Sequence, residues 1–187
     1  MSEKEEKTLV EAVVVFPIRD DGALLFAKKT MKIGEGCWNG YGGGLEPGET
    51  PEAAAVRELE EESEMIAEQA NLEKIGMLKA YNHKSDGRIV QADVHFYIAR
   101  HCKGEPKEKP DMITPTWFLP HEIPLDELMP ADKLWLPRVF AGERLIVTVH
   151  YGPFQKELLE PVHIEVIERF NEHGEPVRFA ELSEKLK

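Results

Sequence analysis

The chain is poor in cysteine: Cys37 and Cys102 are the only two in 187 residues. A fold stapled by several disulfides is excluded, and without an export signal the pair reads as buried, reduced thiols. Long apolar runs are also missing. The opening MSEKEEKTLVEAVVVFPI holds no apolar stretch of signal or membrane length, which points to a soluble, cytoplasmic protein with no membrane partner. Positive charge is scarce: 23 Lys and Arg stand against 35 Asp and Glu, for a net charge of −12. With no basic stripe, binding of a nucleic acid polymer through broad electrostatics is excluded. A small anionic ligand remains open, given local help from a metal ion or a few placed cations. Repeats and low-complexity linkers are absent.

What is present suffices for one domain with a sizeable core, since 42% of residues are hydrophobic. Domain limits are set at 1–170, with a tail over 171–187 that is expected to form a short helix; the first seven residues read as a frayed end. Strands are expected over Leu9 to Ile18 and Ala23 to Lys29, around the turn Asp20-Asp21-Gly22. Further strands are Leu72 to Asn82 and Ile89 to Arg100, flanking Ser85-Asp86-Gly87, then Met112 to Leu119, Leu145 to Tyr151 and Val162 to Phe170. In the second of these, Val90, Ala92, Val94, Phe96 and Ile98 alternate with Gln91, Asp93, His95 and Tyr97, predicting one core face and one polar face. A short helix is expected over Ala131 to Phe140. The main helix begins at Thr50 as N-cap with Pro51 in its first position and runs to about Glu64. Strands on both sides of one central helix imply an α/β or α+β sandwich with a mixed sheet.

The stretch RELEEESEM, Arg57 to Met65, closes that helix. At about 100° per residue, Glu58, Glu61 and Glu62 share one narrow face. Ala55, Leu59, Ser63 and Ile66 form the adjoining packing stripe, and Glu60 and Glu64 point away. A solvated acidic face accounts for the last two. The other three crowd like charges beside low-dielectric packing, which raises carboxyl pKa values unless a cation intervenes. Mg²⁺ favours such hard oxygen ligands, and Arg57 reaches Glu61 at i, i+4. On geometry alone the wet face and the metal face both stand.

The glycine-dense loop NGYGGGLEPGE precedes this helix. Counting on from Gly43, five residues lead to Glu49, and seven more lead to Arg57-Glu58-Leu59-Glu60-Glu61-Glu62. This spacing resembles the Nudix box, departing from it at Glu64, where the box carries glycine. Trp38 to Gly43, Lys28-Lys29, Asp93-Val94-His95, Trp117-Phe118 and the run from Ile123 to Pro137 are similar to the MutT-type branch that includes oxidised-purine nucleoside triphosphatases. The resemblance spans roughly Leu9 to Glu168. It implies the Nudix fold, a mixed central sheet sandwiched between helices, and Mg²⁺- or Mn²⁺-dependent hydrolysis of a nucleotide, from a monomer or homodimer. Glu58, Glu61, Glu62 and the Gly42 carbonyl become the implied metal ligands. Glu49 and Arg57 become orienting residues; Asn39, Asp132 and Lys28 become substrate contacts. The branch has tryptophan and an aspartate where this chain has Met129 and Ala131. It also has a metal-assisting glutamate where this chain has Met112, with Asp111 one residue earlier on the wrong face if a strand runs through both. Another nucleotide, such as a dinucleoside polyphosphate, or a non-catalytic nucleotide-binding module, is the alternative.

Without the family, Asn39 and Asp132 read as turn and cap residues and Lys28 as a surface lysine. Trp38, Trp117 and Trp135 read as core, and His95 as a satisfied structural histidine. Within the family that the chain resembles, an aromatic near the position of Tyr81 marks enzymes acting on dinucleoside polyphosphates.

Overall fold

The computed structural model describes residues 9–179. Its strands are β1 (Leu9–Pro17), β2 (Leu24–Lys29) and β3 (Trp38–Asn39), followed by helix α1 (Pro51–Ser63). Then come β4 (Leu72–His83), β5 (Ile89–Ala99), β6 (Met112–Phe118), α2 (Asp132–Phe140), β7 (Arg144–Tyr151), β8 (His163–Ile167), β9 (Arg169–Phe170) and β10 (Pro176–Val177). Five strands make a mixed sheet in the order β1-β5-β4-β7-β8, with β1 parallel to β5 and β4 parallel to β7. A second sheet has the order β3-β2-β6, and β9 and β10 form a hairpin. The short helix expected over the tail is not formed at 175–179, where β10 pairs with β9. Residues 180–187 lie outside the described residues, as do the first eight.

The large sheet is covered on both faces. On one side α2 contributes Trp135, Leu136 and Val139 to a core with Phe16, Phe26 and Phe96. On the other, Ala54, Ala55 and Leu59 of α1 pack with Val13, Val15, Tyr41 and Tyr97. This corrects the reading of β5 as half polar. Tyr97 and His95 are 1% and 7% exposed; Tyr97 packs in the cluster under α1 and its hydroxyl donates to Glu52, while His95 lies beside Glu11. The loop from Tyr41 to Leu45 runs along β1, exchanging Val15 N–H to Tyr41 O (2.7 Å) and Val13 N–H to Gly43 O (2.9 Å). The free edge of β1 is thereby covered.

Helix α1 starts as its sequence dictates: the Thr50 hydroxyl accepts from Ala53 N–H, and Pro51 occupies the first turn. It ends at Glu64, which is left-handed at φ 61° and ψ 10°. Ile66 consequently leaves the helix wheel and is 49% exposed, while Met65 and Ala67 are buried in its place. A left-handed non-glycine residue costs about 1 kcal/mol. The Glu64 side chain makes two ion pairs, to Lys107 at 2.5 Å and Lys109 at 2.6 Å, which hold its carboxyl down at about 2. Glu64→Gly removes both the backbone cost and the pairs, whereas Glu64→Ala removes the pairs alone. In urea unfolding the glycine variant should exceed the alanine variant by about 1 kcal/mol; equal midpoints would refute the assigned backbone cost.

Candidate active site

The glycine loop approaches β1 and α1 more closely than side chains allow. A Cβ at Gly42 would sit 1.9 Å from the Val13 carbonyl oxygen, and one at Gly43 would sit 2.5 Å from Glu58 Oε1. This contact sets the loop against the acidic helix, and Gly42 N–H donates to Glu62 Oε2 at 2.8 Å.

Arg57 ties the loop to the helix. Its Nε and Nη2 donate to the two oxygens of Glu49, both at 2.9 Å, and Nη2 reaches Gly44 O at 3.1 Å. Its Nη1 donates to Glu58 Oε1 at 2.8 Å and to Glu61 Oε2 at 3.2 Å. The guanidinium hydrogen bonds, with the Glu46 N–H, hold the Glu49 carboxyl at about 2. Glu49 and Arg57 thus form a paired link between the loop and α1.

Glu62 is in a different state. Burial pushes its pKa up to about 7, opposed by the Gly42 N–H and by Lys29, and reinforced by the charges of Asp111 and Glu58. Glu58 is largely covered and Glu61 is 60% exposed. Among the described residues no three His, Cys, Asp or Glu side chains converge closely enough to enclose a metal ion. The shared face of α1 thus divides: Glu58 and Glu61 turn to Arg57, and Glu62 turns to the loop.

Two contributors were not singled out as site residues. Lys29 faces Glu62, while Lys28 bonds Glu127 at 2.7 Å and lies 5.4 Å from the centre of the Trp38 ring. The two lysines occupy opposite faces of β2, so strand alternation was the signal that separates them. Asp111 is the other. It precedes β6, and its carbonyl accepts from Thr30 N–H at 3.1 Å. The facing rule for strands does not apply to it, and its carboxylate acts on Glu62. Met112 is buried.

On β3, opposite Ala27, Asn39 Oδ1 accepts from Gly40 N–H at 2.8 Å. Asp132 is 4% exposed and accepts from Trp135 Nε1 at 3.2 Å. Burial raises its carboxyl to about 7. Asp132 acts on the Tyr151 phenol and the Cys37 thiol. Asn39, Lys28 and Asp132 do not touch the carboxylates of α1. Trp135 is core; Trp38 and Trp117 are partly covered. Both cysteines are free and partly buried. His95 is not satisfied: neither ring nitrogen makes a hydrogen bond among the described residues, although Glu11 lies 3.6 Å away. The Tyr81 ring stacks on His150, centroids 4.7 Å apart.

Residues 8–139 match the NUDIX domain model. The chain belongs to the Nudix family. This Nudix protein is 37% identical over 140 residues to the oxidized purine nucleoside triphosphate hydrolase of Danio rerio, covering 75% of this chain and 83% of that one. To the Mus musculus protein of the same name it is 38% identical over 114 residues, covering 61% and 69%. A MutT protein from Bacillus halodurans superposes with a TM-score of 0.69 at 25% identity, over 83% of this chain and 97% of that one. The Nudix chain is a hydrolase with the mixed, two-sided α+β architecture of its structural neighbours. Among the described residues no helix is long and apolar enough to cross a membrane.

Gly42→Ala forces backbone against backbone, since its Cβ meets the Val13 carbonyl. It should lower unfolding free energy by about 1–3 kcal/mol. Gly43→Ala meets only the end of the Glu58 side chain, and should keep most stability while losing turnover; comparable thermal losses in both variants would contradict this division. Asp132 gives a pH signature. The folded chain keeps its proton to about pH 7, whereas the free side chain releases it near 3.8. Between these values the unfolded state binds fewer protons, so stability falls as pH rises. Asp132→Asn should gain stability relative to the parent from pH 4 to 7 in thermal melts; parallel curves would refute it.

Proposed function

We propose that this Nudix hydrolase converts oxidised purine nucleoside triphosphates, such as 8-oxo-dGTP, to the monophosphate and pyrophosphate, with Mg²⁺ or Mn²⁺ as cofactor. The observation that carries the reading is the state of Glu62. A partly buried carboxyl feels the charges of two further carboxylates, Glu58 and Asp111, with Lys29 as the cation that acts on it. That arrangement is short of positive charge, and a divalent ion and a polyphosphate would complete it together. The relatives named for oxidised purine triphosphates support the substrate class.

The donor chemistry fits such an ion, because every candidate is a carboxylate or carbonyl oxygen. Glu58, Glu61 and Glu62 would hold it with the Gly42 carbonyl. Once bound, it neutralises phosphate oxygens and acidifies a water for attack on phosphorus. The chain's own groups do the positioning. Arg57, fixed on Glu49, holds Glu58 and Glu61 from behind. Gly42 N–H fixes one oxygen of Glu62. Lys29 is placed to meet phosphate charge, and Asp111 supplies the acid that Met112 cannot.

The base is assigned to the α2 side of β2, where the Asp132 carboxyl offers a hydrogen-bonding partner, with Asn39 on β3 as a second contact. Lys28, held by Glu127, forms a wall of that side. The substrate pool is the free nucleotides of the cytoplasm.

A panel of 8-oxo-dGTP, dGTP, dATP and a dinucleoside polyphosphate, with and without Mg²⁺, tests the assignment by scoring pyrophosphate and monophosphate. Turnover should need the metal, and kcat/KM for 8-oxo-dGTP should exceed that for dGTP by at least about tenfold. Equal values for the two would overturn the substrate assignment.

A further inference from the structure

Beyond residues 8–139, the chain continues through β7 into a short 3₁₀ turn, Pro153–Gln155. Two consecutive non-glycine residues there are left-handed, Phe154 at φ 60° and Gln155 at φ 56°. The conformation disfavours L-residues, and such outliers concentrate at binding and active sites. The Phe154 side chain gains no burial from it, for the residue is 75% exposed.

The same turn carries a polar pair. Gln155 Nε2 donates to Asn82 Oδ1 at 2.6 Å, and Asn82 Nδ2 donates to Val90 O at 3.2 Å. Asn82 is 7% exposed, so the pair is anchored in the fold. Gln155 retains a carbonyl acceptor and a second amide proton, the complement of a nucleobase edge. Phe154, Gln155 and Asn82 line a cleft of about 80 Å³ together with Ile33, which is 44% exposed. A cleft this small suits the edge of a flat ring.

The cleft adjoins the candidate active site. Gly34, next to Ile33, lies against the Lys29 side chain and the Met129 sulfur, each 3.2 Å from its ideal Cβ position. Lys29 in turn acts on Glu62. From the other direction, Tyr151 enters the turn beside Asp132.

We infer that Phe154 and Gln155 form a clamp for the substrate base, in which the Phe154 ring stacks on the purine face and the Gln155–Asn82 amide pair reads the purine edge. This rests on the nucleotide reading above. It assigns base selection in part to a segment outside the matched family region. The backbone conformation holds the ring in the open, where a base can meet it.

The test is equilibrium binding of 8-oxo-dGMP, dGMP and ribose 5-phosphate to the full chain by calorimetry, beside turnover of the triphosphates. Phe154→Ala should weaken binding of both base-bearing monophosphates by about tenfold, leave ribose 5-phosphate unchanged, and raise KM for the triphosphates more than it lowers kcat. Phe154→Trp should restore binding. Phe154→Gly should melt higher than the parent, with the backbone cost removed, and still bind worse; a merely structural turn would move both the same way. Gln155→Ala should narrow the preference for 8-oxo-dGMP over dGMP. If the parent chain binds the monophosphates and the Phe154 variants match it within twofold, the clamp is overturned while the hydrolase reading stands. If the triphosphates are not hydrolysed but the monophosphates bind and Phe154→Ala loses them, the clamp stands and the hydrolase reading fails. If ribose 5-phosphate binds as well as dGMP, or no monophosphate binds, the base is not the occupant and the clamp is overturned.

Discussion

The guanidinium of Arg57 is the point on which the candidate site depends. It joins Glu49 in the loop to Glu58 and Glu61 on α1, and also takes the Gly44 carbonyl. A bidentate Arg–carboxylate pair fixes angle as well as distance. The loop therefore cannot slide along the helix without breaking several charge-assisted bonds at once. Lysine at 57 would supply charge without the fork. The close approach of Gly42 and Gly43 works in the same direction from the opposite side, pressing the loop between β1 and α1. Only with both in place does Gly42 N–H meet Glu62.

This geometry explains why three neighbouring glutamates behave differently. Glu58 and Glu61 share a cation within their own helix turn. Glu62 is on the buried side of the same face and receives one backbone N–H for its charge. Burial then dominates, and its pKa rises to about 7. Positive charge at the site is thus unevenly distributed: satisfied behind α1 and deficient in front of it. On the proposed function, a divalent ion bound with a polyphosphate would supply positive charge on the side that Arg57 does not reach.

Much of this was legible in the sequence because the elements concerned are governed locally. Thr50 and Pro51 set the start of α1, and the spacing from Gly43 to Glu62 set the family resemblance. What was not legible depends on packing between distant segments. Alternation in β5 separated two faces but could not tell that the polar one is covered, at Tyr97 by the cluster under α1 and at His95 beside Glu11. A heptad-like wheel carried Ile66 into the packing stripe, because it assumed the helix ran past Glu64. Residues 175–179 fall in the tail read as a short helix, yet Pro176–Val177 pair with β9, where Lys74 donates to Gly174 O at 2.8 Å and lies 4.9 Å from the centre of the Phe170 ring. Neither partner of those contacts is close in sequence.

The lysine pair shows how topology converts adjacency into division of labour. On β2, residue 29 points to the core beneath α1 and residue 28 to the core beneath α2, so consecutive lysines serve opposite sides of one layer. Lys29 meets the acidic face through Glu62, while Lys28 meets Glu127 on the side of Asp132 and Cys37. On the proposed function, a nucleotide would cross the end of β2, with its phosphates toward Lys29 and its base beyond Lys28. Asp111 belongs to the same crossing. Its backbone is tied to Thr30 at the end of β2, so the strand that places Lys29 also places the acid opposite it. A substitution that shifted β2 against β6 would displace both charges together, leaving the carboxylates of α1 correctly held by Arg57 but facing an altered partner.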